Sequence, residues 1–567
     1  MKKMFMIFSL ISSVAVLLIL AAIGMSGKLT PQAETNGQQQ WLTPEVIQAE
    51  QIEEQVKKEL KKKEIKTVYT MKYQKAAQKQ VDAEKKKHYY TLQEPLLILN
   101  PYGTNRTGLY IYFEHSERVN VEYEVSVKEE EIAPFNGKLY TNMTGMPLSE
   151  QEGQIIGLLP GRTNYVLLYL YDQEHNLVGR EGYKIDVPDY GTVKEIKLAM
   201  EQSRNENQLT DGLYCLFGYD RRNGEEPGHM LFYDNEGVLR AEIPIADGMQ
   251  DSNIEQIDSN ILYLCSNEKM VLVNRLGKVE KIFNLGDKYV AHHDFEVVET
   301  LDKVIVLADQ RSKGTKEDIV LSVDLYTGKI KKILDFEKLM PEIRERARIT
   351  KDCPDQDYVD WLHFNTVSAI NEKDILLSSR ETSTIMRVNN VFGKKPKIAW
   401  LIAEESVWEG TKYEKLLLKK EGNFASQAGQ HTTTYMSDPA LGEGQYYIHM
   451  FNNNYGVQHS YPEQDWSVIP GVGLPGKDAE YSYYYRYLVD ENAGTYQLVQ
   501  EFGLPYSSIV SSTQHYKENI VTCSGNAGVF EEYNADGKRI ARYFMDVDPF
   551  TYRVFKYDMK GYWFANE

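Results

Sequence analysis

The sequence predicts an all-β fold: a six-bladed β-propeller preceded by a small Ig-like β-sandwich, with an N-terminal hydrophobic helix and a charged helical stalk ahead of both. Three observations predict it. The 567 residues are 42% hydrophobic, with 40 Tyr against 6 Trp, a balance that suits pleated sheet better than a helical bundle. Residues 88–190 alternate short apolar runs with turn clusters. Beyond about residue 193 the chain repeats one strand–turn–strand unit, which is how a radially repeated sheet is written in sequence.

Taken in order, Lys2 and Lys3 precede an uncharged apolar run from Met4 to about Met25. It exceeds a usual signal-peptide core and is long enough to span a bilayer as a helix. Residues 1–27 are therefore expected to be a signal-anchor, and no Cys follows them to carry a lipid. The basic flank lies before the run, so residues 28–567 are expected outside the cytoplasm, tethered to the cell membrane. A cleaved signal, giving a secreted or periplasmic protein, is the alternative. Residues 28–87 read as a polar, Gln-rich tether followed by a charged helical stretch, QIEEQVKKELKKKEIK. A stalk is the simplest reading of that stretch and a docking helix ranks second.

Residues 88–190 carry GLYIYFEH, VNVEYEVSV, YVLLYLYD and GREGYKIDV, separated by NPYGTNRTG, LPGRTN and DQEHN. Strand runs broken by such turns over about one hundred residues fit an Ig-like sandwich. In residues 191–567, YDNEGVLRAEI, VNRLGKVEKIF, VDLYTGKIKKIL and YNADGKRIARYF read as outer hairpins of successive blades. Units start near 212, 251, 292, 363, 431 and 511, hence six blades; two stacked sandwiches are the competing arrangement.

The formal net charge of −18 repels phosphate, so nucleic acid is excluded as a partner. Cys215, Cys265, Cys353 and Cys523 are widely spaced with no CxxC and read as small buried hydrophobes.

The third and fourth units align without a gap, HHDFEVVETLDKVIVLAD over HFNTVSAINEKDILLSSR. His292 matches His363, Asp294 matches Asn365, and Asp309 matches Arg380. The fifth unit opens GQHTTTYM and places His431 at the same position. Inner strands line a propeller axis, so three of the eleven His converge on one site. His293 is expected to point away from His292, because side chains alternate along a strand. His449, His459 and His515 receive no role. A three-His zinc site is the obvious competitor, but Arg380 carries a permanent charge that repels a cation. An Arg, two His and an Asn amide suit a tetrahedral oxyanion instead, leaving one His free to attack. Neither a Gly-rich phosphate loop nor a GxSxG or HExxH motif is present, so no cofactor and no resident metal are expected.

With HHDFEV, DWLHFNTV followed by LLSSR, and GQHTTTY in this order, the chain resembles the bacterial aryl-sulfate sulfotransferases over roughly residues 90–567. The resemblance implies transfer of a sulfuryl group from a phenolic sulfate donor to a phenol acceptor without a nucleotide sulfate. It implies His431 as nucleophile, with His292, His363, Asn365 and Arg380 as sulfate-binding and acid/base residues and Thr513 as a further polar contact. It also implies a homodimer. Some members carry a disulfide loop before the nucleophile; no Cys lies between Arg380 and His431 here. A ping-pong route through a sulfohistidine follows as the expected mechanism. Trp361, Phe364 and Tyr435 are candidates to sandwich the rings. An aryl-sulfate hydrolase, a zinc-dependent hydrolase and a non-catalytic binding propeller are the other readings kept open.

Overall fold

The computed structural model describes residues 39–566 except 143, 145, 192–194, 204–207, 220–227, 246–252, 350–357, 457, 475–479 and 548–549. Two units separate by contact, Met1–Gln40 and Trp41–Glu567. Among the described residues, the sheets and helices all lie in the second. The expected signal-anchor, most of the tether and Cys353 fall outside the described residues. Among those residues no helix is long and apolar enough to cross a membrane.

The stretch expected to form a stalk is two helices, Ala49–Leu60 and Met71–Lys85. Ile52 and Val56 on the first, and Tyr73, Ala77 and Val81 on the second, recur at four-residue spacing and so share one face. That face is buried against Leu96, Ile98, Tyr102, Tyr110 and Tyr112 of the sandwich. The helices thus dock on the β-domain, the reading ranked second, and the lysine-rich face that suggested a stalk is their solvent side.

In the sandwich, Leu109–Ser126 is an 18-residue strand. Its first half pairs with Leu96–Leu99 and Leu148–Ile155, its second with Phe135–Lys138 and Arg162–Tyr171. The register breaks between Glu114 and Val119, where the strand leaves one partner set for the other. Its core is continuous with that of the first three blades, and the Trp563 indole N–H donates to Gln154 at 3.0 Å, so the two domains share one interior.

Among the described residues, six antiparallel four-stranded sheets follow, one gaining a fifth strand in parallel and another a fifth strand antiparallel. The unit starting near 212 departs from expectation. Its strands Leu213–Tyr219, His229–Tyr233 and Leu239–Pro244 form the outer part of blade 1, and the fourth is Arg553–Tyr557 from the C-terminus. The N-terminal strand Ala199–Gln202 in turn adds to blade 6. The ring is therefore closed at two places by chain from opposite ends.

A buried ion pair sits on this closure. Lys556 Nζ lies 2.8 Å from Glu532 Oε2, with both side chains wholly buried. Thr210, Tyr214 and Asn519 also donate to the Glu532 carboxylate. Removing one partner strands a buried charge. Lys556→Met is expected to lower stability by about 3–5 kcal/mol, read as a drop in the urea midpoint with the slope unchanged.

Candidate active site

The inner strands of blades 3 to 6 are Tyr289–Val298, Phe364–Ala369, His431–Met436 and Ser512–Tyr516. His293 and Thr432 within the first and third, and His363 and Ser511 just before the second and fourth, take positive φ of +54°, +48°, +52° and +90°. Each such non-glycine residue costs of order 1–3 kcal/mol. In blades 3, 4 and 5 the strain accompanies an interrupted strand register.

The interruption in blade 3 corrects one expectation. His293 does not point away from His292: the two Nδ1 atoms are 2.9 Å apart and the His293 ring packs 5.0 Å from that of His363. A left-handed residue and a bulge break the two-residue alternation, so the adjacent rings meet instead of diverging. His292 Nε2 is buried without a hydrogen-bond partner.

His431, at the start of its strand, is held by its Nδ1. That atom lies 3.0 Å from the Gly429 carbonyl and 2.8 Å from Asn453 Oδ1. A carbonyl only accepts, so Nδ1 carries the proton and Nε2 keeps the lone pair. Asn453 cannot turn over, because its Nδ2 donates to the Ser507 and Val510 carbonyls at 2.8 and 3.0 Å. Burial pulls the His431 pKa down to about 3, and the charges of Arg380 and His363 push the same way. Neutral, with Nε2 unprotonated, is the form a nucleophile requires. Asn453→Ala frees the ring to adopt the wrong tautomer, and kcat is expected to fall on the order of 10²-fold, read by initial rates at saturating donor.

His363 is the opposite case. Its Nδ1 lies 2.5 Å from Asp360 Oδ2 and 2.8 Å from Glu317 Oε2. Burial pulls its pKa down, but the two carboxylates outweigh it and Arg380, pushing it up to about 10. Arg380 Nη1 stands 3.5 Å from the same nitrogen, and its Nε is buried without a partner. Thus a neutral imidazole and a cationic one, joined by a guanidinium, share the site. The unpartnered Arg380 Nε–H can only donate, an arrangement chemically suited to an anionic oxygen.

Asn365 and Thr513 are in place with duties of their own. Asn365 Nδ2 donates to the Gln430 carbonyl at 2.7 Å, tying blade 4 to the residue before His431. The Thr513 N–H donates to the Thr432 hydroxyl at 2.8 Å, and Thr513 Oγ1 lies 3.1 Å from His449 Nδ1. Two of the aromatics singled out as ring clamps belong to the core: Trp361 and Phe364 are fully buried in it, and the Trp361 indole donates to Asp318. Tyr435 instead lines a cavity of about 470 Å³ that reaches Thr432, Thr513, Asp294 and Arg553. A smaller cavity of about 260 Å³ opens onto His363, Arg380, Asp360, Glu317, Tyr358 and His459.

Donor atoms close enough to hold a cation occur, among the described residues, in two groups: His292, His293 and Glu317, and Glu317, Asp360 and His363. His431 belongs to neither, so the three histidines picked from the repeat do not form a zinc set. The Arg380 guanidinium beside His363 also opposes a divalent ion there.

Sequence reasoning missed Glu317, Asp360, Asn453 and Arg553. Asp360 was inside the DWLHFNTV motif, three residues before His363; Asn453 was in the FNNN run that follows a strand. Arg553 gave no local signal. It is fully buried, pairs with Asp294 at 2.8 Å, and reaches the axis only because the C-terminal strand closes blade 1.

Comparison with known proteins adds two family profiles. One, described as Arylsulfotransferase (ASST), matches residues 199–559; the other, Arylsulfotransferase Ig-like domain, matches residues 96–188. No curated protein matches the chain. Solved structures similar to it include BamB from Moraxella catarrhalis, at 11% identity over 62% of this chain and 91% of that one, TM-score 0.27. The periplasmic gluconolactonase of Pseudomonas aeruginosa is 8% identical over 77% and 100%, TM-score 0.34. A hypothetical selenium-binding protein from Sulfolobus tokodaii is 11% identical over 77% and 97%, TM-score 0.34.

Proposed function

The chain belongs to the arylsulfotransferase family, and on that premise we propose that it moves a sulfuryl group from a phenolic sulfate ester to an acceptor phenol through a sulfohistidine at His431. The observation that carries this reading is the fixed tautomer of His431. A buried imidazole with Nδ1 committed to two acceptors has one lone pair to offer, and the cationic His363–Arg380 pair sits beside it.

The donor sulfate binds with its oxygens toward Arg380, the Nε2–H of His292 and the second amide hydrogen of Asn365. His293, kept neutral by burial and by the neighbouring His363, donates from Nδ1 to His292 and so sets the His292 tautomer. His431 Nε2 attacks sulfur as the S–O bond breaks. The electron pair goes to the phenolate, which takes the proton of His363 Nε2. In the second displacement an acceptor phenol gives its proton to His363, its oxygen attacks sulfur, and the S–N pair returns to His431. Fixed donors aimed at the charge that shifts between oxygens lower both barriers. In-line geometry places donor and acceptor on the same side of sulfur, so the two compete for one ring site.

The test is incubation of the full chain with a chromogenic aryl sulfate, with and without a second phenol and with no nucleotide added. Phenol release that needs the acceptor, with parallel-line kinetics, supports the proposal. Release into water alone makes the protein a hydrolase, and no release with any electron-poor donor leaves a binding propeller. The pH profile is a further check. The donor half-reaction needs His431 neutral and His363 protonated, so kcat/KM for the donor is expected to be flat across neutral pH and to fall as pH rises toward about 10.

We extend the proposal to the setting: an exported protein, anchored in the cell membrane by residues 1–27 and acting as a homodimer. Cell fractionation, protease accessibility in intact cells and sedimentation equilibrium test these three points in turn.

A further inference from the structure

We infer that Glu317 and Asp360 are positioning residues acting through His363, and that their hold on its Nδ1 is what fits the enzyme to unactivated phenols, donors and acceptors alike. The inference rests on the sulfuryl-transfer reading above.

The fold makes a dedicated device of the two carboxylates. Thr315–Lys316 and Val359–Asp360 are two-residue strands that pair only with each other, in parallel, with Lys316 opposite Asp360. The pairing lashes a loop of blade 3 to the approach of blade 4 and so delivers both acids to one imidazole. Glu317 is further fixed at both backbone ends. Its N–H donates to Asp309 Oδ1 at 2.5 Å and its carbonyl accepts from the N–H of Phe364, next to His363, at 3.2 Å. It holds φ at +56°, a strain that placement there must offset.

One N–H serves one acceptor well, yet two acids meet at this one. Asp360 Oδ2 takes the hydrogen bond of Nδ1, while Glu317 Oε2 meets it as an ion pair at 2.8 Å without one, and Asp360 Oδ1 is left unpartnered. Burial pushes the Glu317 carboxyl up, whereas at Asp360 burial is outweighed by His363 and Arg380, which hold that carboxyl below its usual value. The other charged or titratable groups facing His363 are Arg380, His292, His293, His431 and Glu381, with Arg348 and His459 on the cavity wall. With Nδ1 so engaged, Nε2 is the nitrogen left to exchange a proton with substrate.

A leaving phenolate must gain a proton and an incoming phenol must lose one. A carrier serves both steps when its affinity for the proton equals that of the phenol. An unperturbed histidine, near 6.5, is a base about 3.5 units too weak for a phenol near 10. The clamped His363, pushed up to about 10, is matched to it, and proton transfer then runs either way without a large driving-force penalty.

The experiment measures kcat/KM for aryl sulfates of decreasing leaving-group ability, and for phenols of decreasing acidity, in the wild type, Asp360→Asn, Glu317→Gln and Asp360→Glu. In Asp360→Asn the loss is expected to grow along each series. It should be about tenfold with an electron-poor donor and on the order of 10³-fold with phenyl sulfate, with the alkaline limb of the pH profile moved down by more than one unit. Glu317→Gln should do the same to a smaller degree. Asp360→Glu, which keeps the charge, should restore the flatter slope.

A uniform loss across both series, or a slope unchanged in Asp360→Asn and Glu317→Gln, overturns the inference while leaving sulfuryl transfer intact. So does a stoichiometric divalent metal in the wild type whose removal abolishes activity. Thermal melts identify a variant that fails to fold, in which case the remaining acid variant decides. A wild type inert toward every donor removes the premise and the inference together.

Discussion

His431→Ala is expected to lower kcat by on the order of 10⁴-fold or more while the protein still folds. The ring is buried and makes its two hydrogen bonds through one nitrogen. Its loss leaves Asn453 Oδ1 without a donor, a penalty of about 1–3 kcal/mol, in a molecule whose cores lie elsewhere. The check is paired: turnover of an electron-poor aryl sulfate, and a melting curve. Wild-type protein quenched in the absence of acceptor should carry one extra sulfuryl group in its mass, and the variant none. Turnover by the variant near the wild-type rate sinks the assignment of the nucleophile.

Arg380→Lys is expected to cost about 10²- to 10³-fold in kcat/KM, although it preserves the charge. Arg380 stands with Nη1 3.5 Å from His363 Nδ1 and with Nε buried and unpartnered. In the proposed site a sulfate oxygen meets Nε, while Nη1 of the planar fork faces the carboxylate-bound histidine. A lysine ammonium presents one point of charge on a flexible stem and cannot reproduce the fork. Separate measurement of kcat and KM shows where the loss falls. An equal drop in kcat and kcat/KM would mean the fork acts in the transition state. Retention of activity within threefold would mean that Arg380 serves only to balance Asp360.

The resemblance carried by three short motifs was legible before any coordinates, and the reason is geometric. A propeller repeats one radial position, so His292, His363 and His431 could be matched across units and sent to a common axis. Legibility ended where the chain departs from its own period. The alternation rule sent His293 outward, and a register break with a left-handed residue turned it inward. The lysines of residues 49–85 advertised a stalk, while the apolar spacing on their other face determined docking.

From the sequence alone came the six-bladed β architecture, the sandwich before it and the histidines, Asn365 and Arg380 that the repeat aligns. Tertiary structure alone decided which histidine is held neutral and which is held cationic. Asn453 assigns the tautomer of His431 from blade 5, and Glu317 and Asp360 reach His363 from two loops joined by a two-residue ladder. Arg553 arrives at the axis from the far end of the chain. Protonation state depends on burial and on charges within a few ångströms, and those neighbours are set by ring closure and loop pairing, not by proximity along the chain.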